Sequence, residues 1–187
     1  MHPVLQQVFD SYRAVLADKP AEWCQRHPNQ DERFWSAQNL IEHLVLTCRS
    51  TSRVLEKRLE RGRPTGGRNT IVQWLLQFVV LSFGHMPQGS PAPSFARPDL
   101  LHWPPMNGAE LTDLLSQEID RMDTLIDRCR QRFGPQRVAT HFLLGTMRPD
   151  QWRRFHVVHI HHHLGQLRRI EQAVGKAVAH EVPSVRV

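Results

Sequence analysis

The sequence predicts an all-α fold, four or five amphipathic helices joined by long proline-rich loops, and three observations carry that reading. Apolar residues recur at helical spacing in four separate stretches, and a fifth is almost continuously apolar over a helix-like length. Start and stop residues bracket several of them: Ser36 before Ala37, Gly62 and Pro64 after Arg61, Gly134 and Pro135 after Phe133, and Pro149–Asp150 before the last. Prolines gather between the stretches, most densely over Gly84–Asn107.

In order, Val4, Val8, Phe9, Tyr12, Val15 and Leu16 place a helix over Pro3 to about Ala17. Asp18–Arg33, with Pro20, Pro28, Asn29 and Asp31, reads as a loop or short turn. A second helix runs from Ala37 to about Arg61, its inward stripe being Leu40, His43, Leu44, Thr47, Thr51, Val54 and Leu55. Thr70–Phe83 is almost continuously apolar, so a well-buried helix is expected, or one with a partner protein on its outer side; its length favours helix over strand. In Gly84–Asn107, Leu100, Leu101, His102 and Trp103 argue that part of the segment docks on the body. Gly108–Phe133 keeps helical spacing through Leu111, Leu114, Leu115, Ile119, Met122, Leu125 and Ile126. A linker holding His141 and Gly145 leads to the last helix, expected to end near Gly175. The chain then reads as one domain over 1–187, with 175–187 a short extension or loose tail.

Composition narrows the class. The 187 residues are 40% hydrophobic and 22% charged, ordinary values for a soluble globular protein. No apolar run is long enough to cross a bilayer, and the opening MHPVLQQVFDSYRAVL lacks a signal-peptide plan, so a cytoplasmic protein without membrane association is expected. Cys24, Cys48 and Cys129 are odd in number and far apart, which predicts reduced, buried thiols. The net charge of +6 raises nucleic acid as a partner. However, the arginines are spread among acidic residues, and the densest run, Arg49–Arg68, suits a solvated helix end. Nucleic acid is not the expected partner.

The histidines carry the chemistry. His156, His159, His161, His162 and His163 crowd one helix, and Trp152, His156, His159, His163, Leu167, Ile170 and Val174 share a stripe on it. His159 and His163, four apart, point the same way from successive turns, the spacing with which a helix offers two imidazoles to one metal ion. Val157, Val158, Ile160 and Leu164 interleave the cluster, unlike a surface tag. His156 and His163 are roughly 10 Å apart along the axis, while metal–nitrogen bonds are about 2.1 Å. One ion therefore cannot take all three, and a ligand from another helix is required. His43 is the inward-facing candidate. Unpaired core imidazoles cost desolvation that one divalent ion would offset. His156 is a weak catalytic candidate for the cavity wall, otherwise a packed core residue. Glu42 is turned about 100° from His43, which gives it a supporting or surface role. His102 and Trp103 are candidates for the cavity mouth.

Two motifs, W-S-x-x-x-L-I-E-H-L from Trp35 and W-x-x-x-H-x-x-H-I-x-H-H-L-G-Q-L from Trp152, make the chain similar to the DinB-like (DinB/YfiT-like) metalloenzyme superfamily. It looks closest to a domain-of-unknown-function branch with the H-x-x-H-H-x-x-Q pattern, and the resemblance spans Trp35 to about Glu171. It implies an up-down-down-up four-helix bundle, often a homodimer. A zinc, nickel or iron ion would be held by His43, His159 and His163. His162 matches the family's additional, non-ligating histidine. Leu164 stands where many members carry arginine, so an anion contact by that arginine is not carried over.

Three neutral imidazoles leave an ion its full charge and an open position, where water reaches a pKa of about 7 or a thiol binds as thiolate. The resemblance implies the second route, since superfamily members include bacillithiol- or mycothiol-dependent S-transferases and a thiol-dependent isomerase. The leading expectation is a metal-dependent thiol transferase acting on a small molecule, with a low-molecular-weight thiol as co-substrate. A metal-dependent hydrolase comes next, then a non-catalytic metal- or ligand-binding bundle. Donor chemistry does not name the metal. A homodimer is expected, with Thr70–Phe83 the place to seek its interface.

Overall fold

Capping chemistry sets the helix boundaries. Helix α3 spans Ala37–Arg61, where the Ser36 hydroxyl accepts from the Asn39 N–H and the Asn39 side chain accepts from the Ser36 N–H. The same reciprocal box opens α4, Ile71–Phe83, through Thr70 and Gln73, and α5, Gly108–Phe133, through Asn107 and Glu110. The other helices are α1, Pro3–Leu16, α2, Ala21–Gln25, and α6, Pro149–Glu181. Short 3-10 turns cover Pro28–Gln30 and Ser94–Ala96. A two-stranded antiparallel ribbon pairs β1, Ala139–His141, with β2, Gly145–Met147. The computed structural model describes residues 1–65, 67–86, 92–98 and 102–181.

The protein is mostly helical. Helix α3 lies along α5, α1 packs on α5 and α6, and α6 also touches α3, α4 and α5. One apolar cluster joins them, with Tyr12 and Leu16 from α1, Leu40 and Leu55 from α3, Ile119 and Ile126 from α5, and Phe155 and Leu167 from α6. All three cysteines are free and buried, as expected. Polar ties then fix how α6 is turned. The buried Arg153 donates to Asp123 of α5 at 2.6 Å and stands 2.9 Å from Asp127. Asp123 also accepts from the His2 N–H, tying in the start of α1. Removing either partner would strand a charge in the interior, so this set of ties resists rearrangement. The Tyr12 hydroxyl donates to the Ile160 carbonyl at 2.7 Å, beside the histidine cluster.

The structure departs from the sequence reading in four places. Asp18–Arg33 contains α2 and a 3-10 turn. Thr70–Phe83 is helical, but it is not well buried. Only Gln77 and Val80 are enclosed, whereas Ile71 is 80% and Phe83 71% exposed, with Trp74 and Leu75 about half exposed. Composition made α4 apolar without saying how many sides are covered. The linker before α6 forms the β ribbon, whose three-residue strands are too short to show alternation. Finally, α6 continues past Gly175 to Glu181, while 182–187 of the expected tail lie outside the described residues. Ala96 confirms that the long segment docks on the body; Leu100 and Leu101 lie outside the described residues. Among the described residues, no helix is long and apolar enough to cross a membrane.

Two glycines test this packing. The Gly108 N–H donates to the Lys19 carbonyl at 2.9 Å, and a Cβ there would fall 1.6 Å from the Leu16 carbonyl oxygen. Backbone cannot yield as a side chain can, so Gly108→Ala is expected to cost about 3 kcal/mol. Gly175 lies within α6 with nothing within 4 Å of its Cβ position. Gly175→Ala should raise stability by up to about 1 kcal/mol, because alanine is the better helix former. Urea unfolding of both variants checks the pair, and equal shifts in the same direction would refute the packing described.

Candidate metal centre

Helix α3 brings His43, and α6 brings His159 and His163, to one buried point. The His159 Nε2 lies 3.3 Å from the His43 Nε2 and 3.1 Å from the His163 Nε2. Two nitrogens bound at about 2.1 Å to one ion, at angles of about 90–109°, are roughly 3.0–3.4 Å apart. The spacing is that of ligands sharing an ion.

The outer ring nitrogens settle two tautomers. The His43 Nδ1–H donates to the Ala96 carbonyl at 2.7 Å, and the His163 Nδ1–H donates to the Gln166 Oε1 at 2.5 Å. A neutral imidazole has one proton, so both Nε2 atoms present lone pairs inward. The His159 Nε2 can donate to one of them at most, which leaves the other unsatisfied in a buried site. A cation satisfies all three at once. The His159 Nδ1 is buried with no hydrogen-bond partner among the described residues, and its ring stacks on Phe155 with centroids 5.5 Å apart.

Burial also keeps the rings neutral. It holds His43 below its ordinary range, with the Ala96 bond opposing, and pushes His163 down to about 3. His159 lies well below the usual range through burial first and its imidazole neighbours second. Neutral rings are what metal ligation requires, since a ligand nitrogen must give up its proton.

A cavity of about 900 Å³ opens over the three histidines. That is the size of a small-molecule site. Thr47 and Thr51 of α3, Phe142 and Leu143 beyond β1, and Phe155, His162 and Arg169 of α6 form much of its wall. Trp35 stands beside two of the histidine rings, its centroid 5.0 Å from His43 and 6.4 Å from His163. Among the described residues, the three histidines form a group that could hold an ion, and no fourth His, Cys, Asp or Glu joins them.

A family model described as a protein of unknown function (DUF1569) matches residues 25–170, a span that contains all three histidines and most of the cavity wall. The chain belongs to that family. No curated protein and no solved structure matches the chain.

Within this DUF1569 chain the other expected site residues fall elsewhere. His156 is fully buried and shares a 3.0 Å hydrogen bond with the Thr51 hydroxyl, and it is Thr51, not His156, that reaches the cavity wall. It is a packed core histidine, pushed down to about 3 by burial. Glu42 is buried rather than on the surface and accepts from the Gln38 amide at 3.2 Å. His102 is exposed, and Trp103 lies beneath the Arg49 guanidinium at 5.9 Å; neither lines the cavity. His162 does line it, half-buried beside His163.

Sequence reasoning missed the role of His141. Its Nδ1 accepts from the Leu143 and Leu144 N–H groups, folding the tight connection that sets Phe142 and Leu143 at the cavity. Gly145 completes the turn at φ +74°, and a Cβ there would meet the Asn69 Oδ1 at 2.5 Å. Asn69 is occupied in accepting from the Thr146 N–H at 2.6 Å. The available signal was a histidine four residues before a turn glycine.

These buried rings predict acid sensitivity. Burial pushes His141 down to about 4 and His156 to about 3, against roughly 6.5 in an unfolded chain. Between about pH 6.5 and 4 the unfolded state therefore binds more protons. Stability is complete above that window and falls as pH drops, by up to about 1.4 kcal/mol per pH unit for each ring. Urea unfolding of chelator-treated protein at pH 7.5, 6 and 5 should show the decline, with a shallower slope in His156→Gln. A flat profile would mean that these rings titrate normally.

Proposed function

We propose that this protein is a divalent-metal-dependent enzyme of the DinB-like kind, a single up-down-down-up bundle, using His43, His159 and His163 as ligands for thiol transfer to a small molecule. The observation that carries the reading is the convergence of three inward Nε2 atoms beneath an open cavity. When bound, a dication on three neutral imidazoles supplies charge that lowers the pKa of a thiol or water at its open position. The lack of a fourth ligand among the described residues favours this over a closed structural site.

The chain's own groups divide the remaining work. Trp35, Phe155 and Leu40 give the cavity apolar walls that exclude water. His141 and His162 are the wall imidazoles outside the trio; the His141 Nδ1 is taken up by the Leu143 and Leu144 N–H groups, so His162, beside His163, serves as proton acceptor. No aspartate or glutamate lines the cavity among the described residues. The protein's cysteines cannot act as the thiol. Burial pushes Cys24 and Cys129 up to about 11 and Cys48 to about 12, and none lines the cavity. A low-molecular-weight thiol from solution fills that role. Hydrolysis on the same site is the competing reaction and needs no thiol.

Metal analysis of tag-free protein tests the site. Near-stoichiometric zinc, nickel or iron is expected in the wild type, lost in His43→Ala and His159→Ala and retained in His156→Ala. A wild type that stays metal-free after reconstitution would overturn the proposal, as would equal loss in all three folded variants.

The homodimer belongs to the same proposal, with α4 as its interface. Trp74 and Phe78 stack on the exposed side of this uncharged helix, an apolar ridge that a second copy can cover without opposing like charges. Sedimentation should give a dimer that Phe78→Glu converts to monomer. A monomeric wild type at micromolar concentration would remove the dimer and leave the metal site standing.

A further inference from the structure

The cavity wall carries an imbalance of charge that the metal reading does not use. Its charged residues among those described are two arginines, Arg33 and Arg169, with no carboxylate. Arg33 is already committed, because its guanidinium donates to both Asp31 oxygens, at 3.0 and 2.7 Å, and it projects outward at the surface. Arg169 makes no ion pair or hydrogen bond among the described residues.

Geometry turns Arg169 toward the chemistry. Side chains on a helix lean toward its N-terminus. Arg169 follows this: its Nη1 lies 3.8 Å from the Cβ position of Gly165, one turn back along α6. The missing side chain at Gly165 leaves room for the guanidinium there. Gly165 is six residues beyond His159, a rise of roughly 9 Å. Elsewhere the cavity wall is largely apolar, with Phe142, Leu143, Phe155 and Ile170.

We infer that the cavity takes an apolar small molecule bearing one carboxylate, its anion held by Arg169 at the mouth and its body lying along α6 toward the three histidines. This assignment rests on the reading of the cavity as the substrate pocket. Arg169 provides a planar pair of donors that matches a carboxylate. The apolar trough takes the chain, and no carboxylate among the described wall residues repels the anion. The same features select against an apolar amine, which would meet an uncompensated guanidinium.

Octanoate, octan-1-ol and octylamine, titrated into chelator-treated protein and followed by tryptophan fluorescence, test the inference. Trp35 and Trp152 line the cavity and report its filling. Octanoate should bind at least ten-fold more tightly than octan-1-ol, and octylamine more weakly than either. Arg169→Gln should remove the octanoate advantage and leave octan-1-ol unchanged, whereas Arg33→Gln should keep it. Arg169 is exposed, so its variant is expected to fold, and circular dichroism checks this. Equal binding of octanoate and octan-1-ol, or an advantage that survives Arg169→Gln, would overturn the inference. Chelation removes any contribution from metal, which separates the two ideas. A metal-free protein that still shows the Arg169-dependent preference loses the enzyme reading only. A metal-loaded protein without the preference loses this inference only.

Discussion

Three neutral imidazoles aimed at one buried point cannot satisfy each other, and the rest of the site follows from that constraint. With the protons of His43 and His163 committed outward to Ala96 and Gln166, the inner space holds more acceptors than donors. Burial removes the easy remedy, since protonating a ring costs desolvation and repels its neighbours. A divalent ion is the chemical species that resolves all three contacts together. The outer bonds then take on a second purpose, holding the rings so that their lone pairs meet without reorganisation.

That arrangement asks for stiffness, and the fold supplies it by tying both helices: Arg49 of α3 pairs with Glu118 of α5, and α6 carries its own anchors. Helix α3 packs along α5, and His43 is held by that packing together with its bond to the Ala96 carbonyl. Helix α6 must be turned correctly about its axis, because a rotation of one residue carries His159 off the site. Arg153 anchors it to Asp123, Tyr12 anchors it at Ile160, and the segment from Trp152 to Ile160 is buried on nearly every side. The buried ion pair is of doubtful net benefit to stability. Its value here is orientation, as it admits one rotational setting of the helix that carries two of the three rings.

Much of this was legible in the residues. Ser36, Gly62 and Gly134 gave three limits of α3 and α5 because capping is local chemistry, decided within four residues; the Asn107 cap of α5 went unread. The trio was legible because rise and bond length exclude three ligands on one helix and force a partner from elsewhere. His156 was not separable from His159 by the same logic. Both share one stripe, and the difference lies in Thr51, which reaches the cavity in front of one ring and is a long-range contact no spacing reveals. The β ribbon was missed because three residues cannot display a period. Helix α4 was misjudged because an apolar sequence records what a surface is, while burial depends on what happens to lie beside it.

The two sides of the cavity therefore differ in kind. The floor stands on α3 and α6, inside the main core. The opposite wall stands on the β ribbon and α4, which lean on each other through few contacts. The Gln77 amide donates to the Leu144 and Thr146 carbonyls, Asn69 holds Thr146, and His141 folds the turn between the strands. Of α4 itself, only Gln77 and Val80 are enclosed. Elements with little buried apolar contact sit at the low end of local stability, and lids and binding loops are drawn from that end. Val80, Phe142 and Leu143 all face the cavity from this weaker side. Helix α4 is nonetheless tied to the histidine-bearing helix, since the Gln77 Oε1 accepts from the Gln151 amide and the Leu81 carbonyl accepts from Arg154, so this weaker wall is held against the floor by polar contacts and not by apolar burial.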